Sequence, residues 1–221
     1  DHLDELRGSV LRIVAYLVAG MAISWGFRVQ IMDLLSYPAR EGARRAGLEE
    51  FSLHIFEPVG GIMLMLQLSL LGAAILAFPL ICLELWWFIK PGLRPVEQRY
   101  IYVLLPAAVV LFAAGIAFCY AIAPQALGYL LIFNTQLGVQ AQLTVGAYLH
   151  FFMRILIVFG LAFETPLVMM FLARIGVITS EGLLSTWRTA IVVIAVIAAM
   201  VTPTPDPFNM SLVGVPMLLL Y

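Results

Sequence analysis

The stretch VGGIMLMLQLSLLGAAILAFPLICL, from Val59 to Leu83, decides the fold class of this chain. Its 25 residues contain no charged side chain, and about 20 apolar residues are enough for a helix to cross ~30 Å of hydrocarbon. Inside a bilayer the backbone must satisfy its own hydrogen bonds, which a helix does within one segment. The stretch therefore predicts a membrane-spanning α-helix.

Three further apolar runs reach the length of a span. They extend from Val10 to Phe27, from Tyr100 to Ile122 and from Phe151 to Ala173. Two shorter runs, Thr189 to Val201 and Phe208 to Tyr221, are no longer than many re-entrant or interfacial segments. Length alone therefore predicts four spans and leaves two further spans open.

The composition is typical of a protein that has lipid as its solvent. Hydrophobic residues make up 63% of the chain, charged residues make up 11%, and the mean hydropathy is +1.02; soluble domains have roughly 45–50% apolar and 25% charged residues. The net charge is -1 and the 12 basic residues are spread over short segments, which argues against nucleic acid as a partner. The histidines are scattered and the common hydrolase and phosphate-loop motifs are missing. We therefore expect no metal, no cofactor and no enzymatic activity.

The basic residues predict the orientation of the chain, because cytoplasmic loops carry more of them than outer loops do. With a cytoplasmic N-terminus, seven basic residues fall inside and four fall outside. The inner set is Arg7, Arg12, Lys90, Arg94, Arg99, Arg174 and Arg188, and the outer set is Arg28, Arg40, Arg44 and Arg45. We therefore expect the N-terminus to be cytoplasmic.

The first loop, Arg28 to Pro58, is the only sizeable segment outside the apolar runs. Its polar part, Arg40 to Glu50, predicts an amphipathic helix outside the membrane, and Pro38 is expected to set a turn before it. Pro203 and Asp206 are expected to form an outer turn between the last two runs, which Asp206 orients. The chain starts without a methionine and stops inside an apolar run, so we expect it to be part of a longer protein.

Polar residues at the ends of the apolar runs form five recognisable elements. HLDELR occupies residues 2–7, FIKPGLRPVE residues 88–97, FGLAFETP residues 159–166 and TPTPD residues 202–206, and Pro38 lies in the first loop. The second and third elements resemble the FxxPxLxxxE and FGxxFExP signatures of the TatC family. Since all five elements occur in the family's order along the whole chain, the sequence resembles a member of that family.

The resemblance implies both a fold and a function. The fold is a single TatC-like domain over residues 1–221, all-α and polytopic, with six transmembrane helices of which the last two are short, and with cytoplasmic termini. The function is that of the receptor subunit of the twin-arginine translocase in the bacterial inner membrane. Such a subunit binds twin-arginine signal peptides of folded proteins and exports these proteins together with the single-span subunits TatA and TatB, using the proton gradient. We also expect contact with membrane lipid and a homo-oligomer within a Tat complex.

The resemblance assigns signal-peptide binding to two cytoplasmic segments. The residues concerned are Glu5, Arg7, Phe88, Pro91, Leu93 and Glu97. A twin-arginine signal presents two guanidinium groups, and carboxylates accept these through paired hydrogen bonds, so Glu5 and Glu97 are expected to form one acidic patch. From the residues alone, Glu5 could instead complement a helix dipole while Arg7 anchors to lipid headgroups. Glu97 could likewise be a solvated loop acid.

Glu164 lies near the centre of the run Phe151 to Ala173, at roughly the bilayer midplane. A charged acid there costs about 2.5–3.5 kcal/mol on insertion scales, so Glu164 needs a proton or a partner. Arg154 is about 15 Å away along a helix, too far for an intrahelical pair. Two explanations stay open. Glu164 is protonated and bonded to a neighbouring helix, or it forms, with Phe163 and Pro166, a site for a polar residue of a TatA or TatB helix.

A proton-coupled secondary transporter or channel subunit is the competing function, since such proteins also carry intramembrane acids. Transporters usually have several polar positions that converge at the midplane, whereas Glu164 is the only acid deep inside a predicted run. A membrane-embedded enzyme ranks third, because the sequence offers no nucleophile with a base.

Overall fold

The structure, a computed structural model, describes residues 2–48, 60–92, 94, 98, 101–136, 144–176, 178–179, 182, 185–201 and 207–221. The helices of these residues are α1 (His2–Gly26), α2 (Arg28–Arg45), α3 (Gly60–Ile89), α4 (Ile101–Gln136), α5 (Val145–Ala162), α6 (Thr165–Arg174), α7 (Trp187–Val201) and α8 (Pro207–Leu220). A 3₁₀ turn, Lys90–Gly92, continues α3. The prediction of an all-α fold is confirmed.

Four stretches of the described chain are long and apolar enough to cross a membrane. They are Asp4–Gly26, Gly60–Gly92, Tyr102–Tyr129 and Val145–Arg174, the last of which contains both α5 and α6. The apolar helices α7 and α8 have 15 and 14 residues, which corresponds to about 22 Å and 21 Å. Both are therefore shorter than the ~30 Å of a typical hydrocarbon core.

The helix α4 is much longer than the predicted span, which ends at Ile122. It continues to Gln136 and has 36 residues, or about 54 Å. The sequence after Ile122 stays mostly apolar as far as Phe133, although it contains Pro124 and Gln125, and a membrane helix tolerates a proline where neighbouring groups satisfy the freed carbonyl. The α4 helix therefore extends beyond the thickness of the hydrocarbon.

The chain divides into two compact units. The first unit contains Asp1–Asp33 and Glu57–Val110, and the second contains Leu34–Phe56 and Leu111–Tyr221. In the first unit α1 packs antiparallel against α3. Gly20 and Gly72 allow this approach: a Cβ added to Gly20 would lie 3.0 Å from Cα of Ala73, and one added to Gly72 would lie 2.5 Å from Oγ of Ser24. Small residues at such contacts are typical of helix packing in membranes.

In the second unit α4 and α5 also meet at glycines. A Cβ added to Gly115 would lie 2.5 Å from the carbonyl oxygen of Phe159, and one added to Gly160 would lie 2.6 Å from the ring of Phe112. The short helices α7 and α8 pack on each other, and both contact α5.

The first loop folds differently from the prediction. The helix α2 spans Arg28–Arg45 and begins directly after α1, whereas the sequence predicted a helix over residues 40–50. Pro38 was expected to set a turn, which is wrong, because it lies inside α2 and is buried. A proline inside a helix leaves the carbonyl four residues earlier without its N–H partner. Here Tyr120 of α4 donates a hydrogen bond to that carbonyl, the one of Leu34 (2.9 Å).

Candidate functional site

The N-terminal end of α1 and the C-terminal end of α3 lie at the same end of the first unit. Glu5 is in the first turn of α1 and Arg7 follows it, and both side chains are exposed. The contacts of Gly20 with Ala73 and of Arg12 with Glu84 show that α1 and α3 run in opposite directions. Glu5 lies seven residues before Arg12, and Pro91 lies seven residues after Glu84, the partner of Arg12. Because the two helices are antiparallel, Glu5 is level with the 3₁₀ turn.

The 3₁₀ turn belongs to the second predicted recognition segment. Phe88 is half-buried in the last turn of α3, and Pro91 is exposed in the 3₁₀ turn. The side-chain amide of Gln98 donates a hydrogen bond to the carbonyl of Lys90 (3.2 Å). Leu93 and Glu97 lie outside the described residues. The structure thus brings Glu5, Phe88 and Pro91 to one end of the first unit.

An ion pair between the exposed Arg12 and the buried Glu84 lies about two helical turns below Glu5. Arg12 donates from Nε to Oε1 of Glu84 (2.7 Å) and from Nη2 to Oε2 (2.8 Å), and the hydroxyl of Tyr16 donates to Oε1 (3.0 Å). Nη2 of Arg12 also donates to Oγ of Ser9 (3.0 Å). Glu84 is 1% exposed. Three groups of α1 therefore surround one carboxylate of α3.

Sequence reasoning missed this cluster. Glu84 lies directly after Leu83, where the predicted span ends, and no role was predicted for it, while Arg12 was counted only among the basic residues of the N-terminus. One signal was available, because Ser9, Arg12 and Tyr16 have the spacing of one helix face. Nothing in a single sequence states which helix that face meets.

Glu164 lies at a break in the fourth span. The helix α5 ends at Ala162 and α6 begins at Thr165. The break has a covalent cause, because Pro166 has no N–H to donate to the carbonyl of Ala162, its partner in a regular helix. Glu164 itself retains helical dihedral angles (φ -73°, ψ -16°).

The surroundings of Glu164 are apolar. Its Oε1 is buried and has no hydrogen-bond partner among the described residues, and the backbone of Phe112 lies beside the carboxyl group. The ring of Phe118 packs against Phe163 and Phe159, with centroids 5.6 Å and 5.9 Å apart. Phe112 is near the middle of the apolar run Tyr100 to Ile122, so its contact agrees with a midplane position of Glu164.

The chain as a whole was compared with known families and structures. A family model described as "Sec-independent protein translocase protein (TatC)" matches residues 1–216. The chain belongs to the TatC family. A TatC protein of Deinococcus radiodurans is 34% identical over 222 residues, which covers 100% of this chain and 82% of the relative. One of Koribacter versatilis is 31% identical over 222 residues, with 100% and 81% coverage.

Solved structures agree with the sequence relatives. A crystal structure described as the twin-arginine translocase receptor TatC superimposes with a TM-score of 0.88 at 33% identity, and covers 100% of this chain and 95% of that one. The TatC fold resolves the question that length left open, and α7 and α8 are its two short spans. This TatC-family chain is therefore a multi-pass membrane protein with six spans and a component of a protein translocase.

Arg154 and the predicted outer turn of this TatC-family chain belong to neither of the two candidate sites. Arg154 is exposed on α5, and no acidic side chain pairs with it in the part of the chain that the structure describes, in agreement with its distance from Glu164. Pro203 and Asp206, expected in an outer turn, lie outside the described residues, and their roles stay predictions.

Proposed function

We propose that this TatC-family chain is the receptor subunit of a twin-arginine translocase in the bacterial inner membrane, where it binds twin-arginine signal peptides of folded proteins. The position of Glu5 carries the proposal. It is an exposed carboxylate at the same end of the first unit as Phe88 and Pro91, and Glu97 follows the 3₁₀ turn in the chain. A cytoplasmic N-terminus, which the basic residues predict, puts this end on the side where signal peptides arrive.

The proposed chemistry is the pairing of two guanidinium groups with Glu5 and Glu97. Paired, charge-assisted hydrogen bonds between a guanidinium and a carboxylate are among the strongest in proteins. Truncation of one partner of a desolvated charge pair typically costs about 2–5 kcal/mol, which corresponds to a loss of about 30-fold to several thousand-fold in affinity. Lysine presents a single ammonium and cannot reproduce the planar fork of arginine.

Direct binding tests the proposal. The chain is reconstituted in nanodiscs and titrated with a fluorescent signal peptide carrying Arg-Arg or Lys-Lys. We expect the Arg-Arg peptide to bind more tightly, and we expect Glu5→Gln and Glu97→Gln each to weaken its binding by about 30-fold or more. Asp4→Asn is the matched control, since it removes a carboxylate from the same turn of α1 and should leave the affinity unchanged. Equal binding of both peptides by the parent chain would contradict the receptor role.

We further propose that Glu164 receives a polar residue from a single-span TatA- or TatB-type subunit. The buried Oε1 has no partner among the described residues, and a buried acceptor without a hydrogen bond is costly. Phe163 and Pro166 shape the site by packing and by breaking the helix. The short spans α7 and α8 favour local thinning of the bilayer, which would ease access to an acid at mid-depth. Export is proposed to use the proton gradient, within a homo-oligomeric Tat complex.

The competing transporter function gains a second intramembrane acid in Glu84. That acid, however, already accepts hydrogen bonds from Arg12 and Tyr16, so its two oxygens are occupied. We therefore favour the receptor.

A further inference from the structure

Polar residues of α1 form one stripe along the helix. Glu5, Ser9, Arg12 and Tyr16 follow one another at spacings of four, three and four residues, which places them on a single helix face. Ser9 is buried and Arg12 and Tyr16 bond to Glu84, so this face is the one turned towards α3. Glu5 lies two turns before Arg12, and two turns of an α-helix return to almost the same direction.

Among the described residues, α3 is the main neighbour of α1. Only 11% of its most apolar stretch is buried inside the protein, and helices in lipid gain no hydrophobic energy from contact with one another. The glycine contacts at Gly20 and Gly72 lie towards the other end of α1. They fix the separation of the two helices there, and the hydrogen bonds of Arg12 and Tyr16 to Glu84 join the helices nearer the N-terminus of α1.

The pair of Arg12 with Glu84 can fix a rotation, because both of its hydrogen bonds are directional. Nε and Nη2 of the planar guanidinium reach both oxygens of one carboxylate, at 2.7 Å and 2.8 Å, and this fork geometry tolerates one orientation. A slip of α1 by one residue would rotate it by about 100° and move a side-chain end by about 8 Å. Such a shift would turn Glu5 away from the 3₁₀ turn.

We propose that Arg12, through Glu84 and with Tyr16, is a positioning residue for signal recognition: the pair holds α1 at the rotation that presents Glu5 beside the 3₁₀ turn. The inference rests on the proposed role of Glu5. Arg12 itself does not contact the signal peptide in this proposal. Its effect on binding is transmitted by the orientation of α1.

The test separates orientation from stability. In the double variant Arg12→Met/Glu84→Met, apolar side chains replace the ion pair, so that neither charge is left without its partner, and such double replacements are often neutral or stabilising. We expect a thermal midpoint in detergent within a few degrees of the parent, but about tenfold weaker binding of the Arg-Arg peptide. Arg12→Lys retains the charge and loses the fork, and we expect about threefold weaker binding. Arg154→Met, which removes an arginine from another span, should change neither quantity.

A distance measurement reads the orientation without any peptide. Spin labels at Asp4→Cys and Lys90→Cys report the separation of the α1 N-terminus and the 3₁₀ turn by pulsed electron paramagnetic resonance, while the native Cys82 and Cys119 are buried. We expect a narrow distribution in the parent and a broad one in the apolar double variant. A parent-like distribution and affinity in that variant would overturn the proposal.

The two proposals fail separately. A parent chain that does not distinguish Arg-Arg from Lys-Lys peptides refutes the receptor role, while the spin-label distances still decide whether the pair orients α1. If the apolar double variant does not fold, Arg12→Lys tests the positioning role instead. An unchanged peptide affinity and an unchanged distance distribution in Arg12→Lys would refute that role.

Discussion

Tyr120 donates a hydrogen bond from its hydroxyl to the backbone carbonyl of Leu34, over 2.9 Å. That carbonyl would accept from the N–H of residue 38 in a regular helix, but residue 38 is a proline. One residue further along α2, the hydroxyl of Tyr148 donates to the carbonyl of Leu35 (2.8 Å). Tyr120 of α4 thus supplies the hydrogen bond that the proline removes, and Tyr148 of α5 adds one to the next carbonyl of α2.

Tyr120→Phe should cost about 0.5–1.5 kcal/mol of the free energy of unfolding, the usual net value of one hydrogen bond. In a Pro38→Ala background the restored N–H can satisfy Leu34, so the same change should cost less. Unfolding in mixed micelles, measured for the four proteins of this double-mutant cycle, gives the coupling. A coupling of zero would mean that the tyrosine does not compensate for the proline.

Tyr148→Phe should be more destabilising than Tyr120→Phe. Tyr148 is 2% exposed, so water cannot replace the lost hydroxyl, and a buried group left without its partner costs about 1–3 kcal/mol. The same unfolding assay compares the two variants. The order would be contradicted if Tyr120→Phe proved the costlier substitution.

Gly115→Ala should destabilise the second unit by about 1–3 kcal/mol, because its Cβ would meet the carbonyl oxygen of Phe159 at 2.5 Å and would force α4 and α5 apart. Gly146→Ala is the matched control on α5. No atom lies within 4 Å of its added Cβ, so stability should stay the same or rise by up to ~1 kcal/mol. Thermal unfolding in detergent distinguishes the two, and equal midpoints would argue against the close helix contact.

Glu41 on α2 should titrate far below an ordinary glutamate. Hydrogen bonds from Arg44 (2.9 Å to each oxygen) and from Arg45 (3.0 Å) lower the pKa of Glu41 from 4.5 to about 2. Because the pKa is lower in the folded protein than in the unfolded chain, the pairs stabilise fully above pH 4.5, and this stabilisation is lost as the pH falls towards 2.

A carboxyl-carbon NMR titration measures this directly. We expect a midpoint near 2 for Glu41 in the parent chain and a midpoint near 4.5 after Arg44→Ala/Arg45→Ala. Glu41→Gln identifies the resonance by removing it. An unshifted midpoint in the parent would refute the pairing.

Glu164→Ala should leave binding of the Arg-Arg peptide intact, since recognition is proposed at the other acids. It should abolish site-specific crosslinks to TatA- and TatB-type helices and reduce export. Glu164→Gln should be milder, because an amide still offers a hydrogen bond. Normal crosslinks and normal export in the alanine variant would return Glu164 to internal packing.

The sequence by itself determined that most of the chain lies in lipid, that it is α-helical, and that it resembles the TatC family. Apolar runs of about 20 residues leave a helix as the only stable spanning structure, and the motifs at their ends carry the resemblance that the family comparison confirmed. The position of Glu164 within its apolar run also predicts that it lies at mid-depth. These properties depend on residues that are close together in the sequence, so they can be predicted without knowing which helices pack together.

Only the tertiary structure decided which residues meet. The packing of α1 against α3 brings Arg12 and Tyr16 to Glu84, for which the sequence predicted no partner. The sequence predicted a turn at Pro38, but α2 continues through this proline, and Tyr120 donates a hydrogen bond to the carbonyl that the proline leaves without a partner. In both cases the deciding partner is more than 60 residues away in the chain. A buried polar group takes whichever partner the packing provides, and local sequence does not specify that packing.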